Sequence, residues 1–187
     1  MIYLISGIAL YAALRLTAAL PSQRDKMVKR MGTGAYALFA GLVTALALYL
    51  VVEGWRGMPV KIMYQPPAWG HYANYALTFL AFLLVGVAIF RGRLRQALRY
   101  PLMLAILAWG AGHLLSSGNL RNLILFDGLM LYAALQIFVA RENGVRPSPE
   151  VRGGHDLLSL AAGAALFGLA AQLHGTFIGV PVFALTQ

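Results

Sequence analysis

Long apolar stretches alternate with short, mostly basic loops along this chain, and that alternation leaves few folds open. The stretches run over residues 1–20, 33–53, 74–90, 101–116, 122–140 and 156–180. In hydrocarbon every backbone N–H and C=O must be satisfied inside the protein, so stretches of this kind are expected as helices. About 20 apolar residues are enough to cross ~30 Å of hydrocarbon. The sequence therefore predicts an all-α, polytopic membrane protein, a bundle of six transmembrane helices forming one domain over residues 1–187. Of its 187 residues 60% are hydrophobic and 11% charged, against roughly 45–50% and 25% in soluble domains. There is no cysteine, which excludes disulfides and thiolate metal sites. The first stretch has no charged leader and no small-residue cleavage site, so it is expected to stay as a helix. Arg15 near its far end is expected to snorkel toward the interface.

The formal charge of +9 invites a nucleic-acid reading, and the placement of the charges argues against it. Loop 21–32 holds Arg24, Lys26, Lys29 and Arg30. Loop 91–100 holds Arg91, Arg93, Arg95 and Arg99, and loop 141–155 holds Arg141, Arg146 and Arg152. These eleven alternate with loops holding only Arg56, Lys61 and Arg121. The positive-inside rule then places the eleven in the cytoplasm and both termini on the far side. The partner implied is the lipid bilayer, with added contact to anionic headgroups, and no nucleic acid. The connection 54–72 contains Pro66-Pro67, which excludes a helix interior there.

Residues 99–128 form the most informative stretch. They are two apolar segments folded back at Ser116-Ser117-Gly118-Asn119, with Gly118 suited to the turn and Asn119 to capping the second helix. Each segment carries a residue that hydrocarbon disfavours, His113 and Asp127. At about 1.5 Å per residue they lie roughly 7–8 Å and roughly 13 Å from the turn. An ionisable residue inside a membrane segment is a functional candidate, and Asp127 is expected to face the bundle interior, toward His113.

The predicted topology gathers Glu53, His71, Tyr72, His113, Asp127 and His174 near the outer side. His155, in a Gly-Gly-His-Asp loop, falls on the other side and is expected to be solvated. Neutral imidazole ligates haem iron, and two histidines on different helices at matched depth suit a membrane b-type haem. The simpler alternative is that His113 and His174 only hydrogen-bond across helices. Trp109, one turn before His113, is either a pocket wall or a packing residue. Asp127 either orients a ligating imidazole or pairs with Arg121. Small residues recur at four-residue spacing in Ala37/Gly41/Ala45, Ala108/Gly112 and Ala164/Gly168, a pattern that lets helix backbones approach closely in lipid.

Three stretches, PPAWGHYANYALTFLAFLL (66–84), RYPLMLAILAWGAGHLLSSGNLRNLILFDG (99–128) and LHGTFIGV (173–180), together with the loop PSQRDKMVKRMG, resemble the NnrU family of integral membrane proteins. The core of the likeness is Trp109, His113, Leu114, Leu115 and Gly118. The resemblance implies a protein of the bacterial inner membrane associated with denitrification and nitrogen-oxide metabolism. The plant zeta-carotene isomerase, similar to this family, uses a b-type haem, so the resemblance also implies haem b. Its ligands would be His113 and His174, with His71 in reserve. Other readings it leaves open are a haem-dependent isomerase or redox enzyme acting on a lipid-soluble small molecule, and a non-catalytic subunit docked on another membrane protein.

The chain departs from the family pattern in four places, one of them Leu125-Phe126-Asp127-Gly128 where the family has Leu-Phe-Gly, so that Asp127 is its own feature. The first stretch has Leu14-Arg15-Leu16-Thr17 where a histidine is usual, and the fourth opens with Tyr100-Pro101 in place of His-Pro. His71 follows Trp69 by two residues, and Tyr72 takes the usual third place. Arg99-Tyr100-Pro101 also resembles the Arg-His-Pro signature of membrane methyltransferases that use S-adenosylmethionine, but its histidine is missing and no distal glutamate motif follows.

Overall fold

The computed structural model describes residues 1–179. Val180, where the last stretch was expected to end, and the tail 181–187 lie outside the described residues. The described chain forms eight helices. They are α1 (Ile2–Ala18), α2 (Pro21–Met31), α3 (Thr33–Arg56), α4 (Gly70–Ile89), α5 (Arg93–Leu98), α6 (Pro101–Ser116), α7 (Leu120–Glu142) and α8 (His155–Ile178). The β pairing recorded among the described residues is an isolated bridge between Ile62 and Asn119.

Several helix ends follow from local chemistry. Pro101 and Pro21 stand in the first turns of α6 and α2, where a missing N–H costs nothing and the fixed φ suits a helix. Asn119 caps α7 as expected, its side chain accepting from the Asn122 backbone N–H at 3.0 Å.

Two stretches expected as loops are helical. Residues 21–31 become α2 because Pro21 is followed by Gln, Arg, Lys and Met, all good helix formers. None of its residues is buried, and its axis turns 92° from that of α1. Residues 93–98 become α5 because the Asp156 carboxylate at the start of α8 accepts from the backbone N–H of Arg93 at 3.1 Å and of Leu94 at 2.9 Å. This carboxylate supplies the cap that the α5 sequence lacks.

Length and composition support four or five of the six expected spans. Four helices, α3, α4, α7 and α8, are long and apolar enough to cross a membrane, or five if the bent pair α1–α2 makes one span. The remaining helix, α6, has 16 residues, or about 24 Å, which falls short of ~30 Å of hydrocarbon.

The apolar helices lie side by side in the order α3, α1, α7, α6, α4, α8. Close contacts between specific residues give their directions. Gly54 of α3 meets Leu4 of α1, Gly112 of α6 meets Asn74 of α4, and Gly163 of α8 meets Leu83 of α4. Each of these pairs is antiparallel. Helices α1 and α7 run parallel, with Gly128 against Ile8 and Tyr11 edge-on to Tyr132 at 5.4 Å. One end of the bundle therefore collects the start of α1, the 57–69 connection, the 117–119 turn and the end of α8. The other end collects α2, α5, the 143–154 loop and all eleven of the lysines and arginines that the sequence assigned to one side.

Glycines set the closest crossings, though largely not those expected. A Cβ on Gly7 would stand 2.8 Å from the Ala47 carbonyl oxygen, and one on Gly86 would overlap the Ser159 carbonyl oxygen. Of the three stripes of small residues, Ala108/Gly112 seats against α4. Gly41 and Gly168 are exposed, and a Cβ on either would meet nothing within 4 Å. The outer face of α3 presents Leu38, Leu42, Leu46 and Tyr49, each at least half exposed, the surface that a helix turned to lipid shows.

Candidate functional site

The 57–69 connection is a strap laid over the turn between α6 and α7. Met63 N–H donates to the Gly118 carbonyl at 2.8 Å, and Leu120 N–H donates to the Lys61 carbonyl at 2.8 Å. The Tyr64 hydroxyl donates to the Leu114 carbonyl, one of the α6 carbonyls left without a helical partner. These bonds satisfy irregular backbone close to the apolar layer, which is tolerated where protein covers it. Beside the strap, Trp55 Nε1–H donates to Asn122 Oδ1 at 2.7 Å, and Asn122 and Asn119 both donate to the Ser117 hydroxyl at 2.8 Å. The Arg121 guanidinium lies 3.9 Å from the centre of the Trp55 ring. Arg121 is thus engaged with Trp55, and of the two alternatives for Asp127 the pairing with Arg121 does not form.

Under this cover stands His113. Its Nδ1 is 2.9 Å from the Trp109 carbonyl oxygen, one turn back on α6. A carbonyl only accepts, so Nδ1 carries the proton and Nε2 keeps its lone pair. The ring stacks on Phe126 of α7, 4.6 Å between centres at 30°, and Trp109 closes edge-on at 5.0 Å from His113 and 4.8 Å from Phe126. Phe126 is 4% exposed, so the aromatic wall on that side is dry. His174, half-buried near the end of α8, lies close enough to His113 for the two imidazoles to interact electrostatically.

The other expected members are placed differently. His71 is exposed in the first turn of α4, with Tyr72 at 3.8 Å and Tyr75 at 6.4 Å between ring centres; its ring contacts are those tyrosines and not His113. Glu53 and Tyr72 are exposed.

Asp127 is exposed on α7, against the expectation that it faces the interior. Phe126 takes the face toward α6, and the next residue of a helix points about 100° away. The carboxylate acts instead on the strap. Burial first, and then the charge of Asp127, raise the Tyr64 hydroxyl above its ordinary phenolic value.

His155 is not simply solvated. It is half-buried, its Nδ1 accepts from the Arg91 backbone N–H at 3.1 Å, and its ring meets Phe90 edge-on at 5.7 Å. It joins the end of α4 to the start of α8, with the Arg91–Glu150 ion pair beside it.

The sequence reading missed Phe126, Tyr64, Trp55 and Ser117. Only Trp55, an aromatic residue just before a polar connection, carried a local signal. Among the described residues no group of three or more His, Asp or Glu converges on a metal-sized position. The imidazole that acts electrostatically on His113 is that of His174.

No curated protein and no solved structure matches this chain. A family model described as NnrU protein matches residues 3–182, nearly the whole length. The chain belongs to the NnrU family.

Proposed function

We propose that this protein is a multi-pass component of the bacterial inner membrane that serves nitrogen-oxide metabolism and binds a b-type haem through His113 of α6 and His174 of α8. His113 and His174 are the residues that would hold its iron. The observation that carries this reading is the Nδ1–H donation from His113 to the Trp109 carbonyl. Ligating histidines characteristically donate their other ring N–H to a carbonyl or carboxylate, which fixes the tautomer and the ring orientation. Trp109 and Phe126 supply apolar, aromatic surface of the kind a porphyrin edge packs against. A haem held this way supplies one-electron chemistry at iron, tuned by its axial ligands and by the dryness of the pocket.

The end bearing the eleven basic residues faces the cytoplasm, and both chain termini face the periplasm, by the positive-inside rule. His113 then lies toward the periplasmic side, beneath the 57–69 strap. The test is the reduced-minus-oxidised absorption spectrum of protein purified from cells with ample haem supply. A Soret band with a stoichiometry near one haem per chain is the expected result. Protein free of pigment and iron would withdraw the cofactor and leave a subunit that acts by docking.

A further inference from the structure

The opposite end of the bundle holds an open cleft of about 310 Å3 at the start of α6, room for roughly ten waters. Arg95, Arg99 and Arg146 line it, and no carboxylate does. The carboxylates of two nearby acids are already engaged, Glu150 with Arg91 and Asp156 with the N-terminus of α5. Arg95 is half-buried and Arg99 and Arg146 are exposed, so the three guanidinium groups can gather on an anion from the open side.

Two further observations point into the same cleft. Gln136 of α7 lines it, and its Oε1 is a buried acceptor with no donor among the described residues, a costly condition. Arg99 stands at φ 60°, ψ −49°, and Tyr100 N–H donates to the Leu98 carbonyl at 2.6 Å. That is a γ-turn of the rare, strained hand, and among the described residues Arg99 is the one non-glycine with positive φ. A glycine would hold this turn with less strain, so the position keeps a long cationic side chain at some cost in stability. Leu102 and Met103 make an apolar floor next to the arginines.

We propose that this cleft binds a phosphate-bearing anion, the arginines holding the phosphate and Gln136 accepting from a hydroxyl of the same ligand. The apolar floor and the position at the end of the apolar helices favour the headgroup of an anionic phospholipid such as phosphatidylglycerol, whose glycerol carries that hydroxyl. Basic pockets between membrane helices are suited to such headgroups. The arginine fork matches phosphate geometry in a way that a lysine does not.

The test uses the delipidated, full-length protein titrated separately with phosphatidylglycerol, phosphatidylcholine and inorganic phosphate. Wild type is expected to bind phosphatidylglycerol in preference to phosphatidylcholine. Arg95→Gln with Arg99→Gln should weaken phosphatidylglycerol binding about fivefold per arginine removed. Arg24→Gln with Lys26→Gln, which removes the same charge from α2, should leave binding unchanged. Arg99→Gly relieves the turn, so it should raise thermal stability while weakening binding, a pairing that a purely structural arginine would not produce. Inorganic phosphate binding as tightly as the lipid, with the same loss in the arginine variants, assigns the site to free phosphate. Equal binding of both lipids without any phosphate binding, or equal losses in the α2 and cleft variants, overturns the proposal.

Discussion

His113 takes its orientation from the carbonyl one turn behind it and its dryness from a phenylalanine on the next helix. The first half of that arrangement was legible in sequence, because Trp109 and His113 are four residues apart and share a helix face. The second half was not. Which α7 residue faces α6 depends on the register of two helices across a turn, and no local pattern encodes it. The same register explains why Asp127 was misplaced: with Phe126 directed inward, its neighbour points away. Asp127 instead adds to the effect of burial on Tyr64, both raising the hydroxyl above its ordinary value. Asp127→Asn should lower the Tyr64 hydroxyl toward its ordinary value near 10, read by ultraviolet titration against a Tyr64→Phe reference. The sign for stability follows from the raised value. The bond from the neutral phenol to the Leu114 carbonyl is fully present below pH ~10 and is lost as pH rises through the higher folded value. Wild type should therefore lose strap stability in that alkaline window, and Tyr64→Phe should not show that loss.

At the scale of elements, the hairpin of α6 and α7 was the clearest part of the sequence. Pro101 starts one helix, Ser-Ser-Gly-Asn turns the chain, and Asn119 caps the next. The two polar helices, α2 and α5, were hidden because both are short and charged, and the apolar residues of α2, Met27, Val28 and Met31, make only a narrow face. In addition, α5 borrows its cap from Asp156, some 60 residues further along the chain. Two variants test the hairpin's dependence on its turn. Asn119→Ala removes the acceptor for the Asn122 N–H and should cost about 1 kcal/mol. Gly118→Ala should cost more, because its Cβ would overlap the Tyr64 carbonyl oxygen and push the strap off the turn. Thermal unfolding in detergent, alongside protease sensitivity of residues 57–69, measures both. Equal, small effects would mean that the strap is not held by the turn.

For the whole molecule, the alternation of helix directions and the segregation of basic residues were readable from loop charge alone. The number of membrane-spanning helices was not, because apolar composition extends to α1 and α6, which are too short to meet the length requirement by themselves. Nor could spacing separate glycines that meet a partner, such as Gly7 and Gly86, from Gly41 and Gly168, which face outward. The same four-residue rhythm serves both. Reporter fusions at Arg95 and after Gln187 should report opposite sides of the membrane, as the charge asymmetry requires; the same side for both would remove one crossing from this topology. The proposed haem would join the two halves of the molecule, with α6 giving His113 and α8 giving His174. The most direct measurement is the absorption spectrum of the intact protein in three variants. The account predicts that His113→Ala and His174→Ala lose or shift the haem band, since each removes an axial donor, and that His155→Ala, at the far end, leaves it unchanged. A wild-type haem band that survives intact in His113→Ala would contradict it.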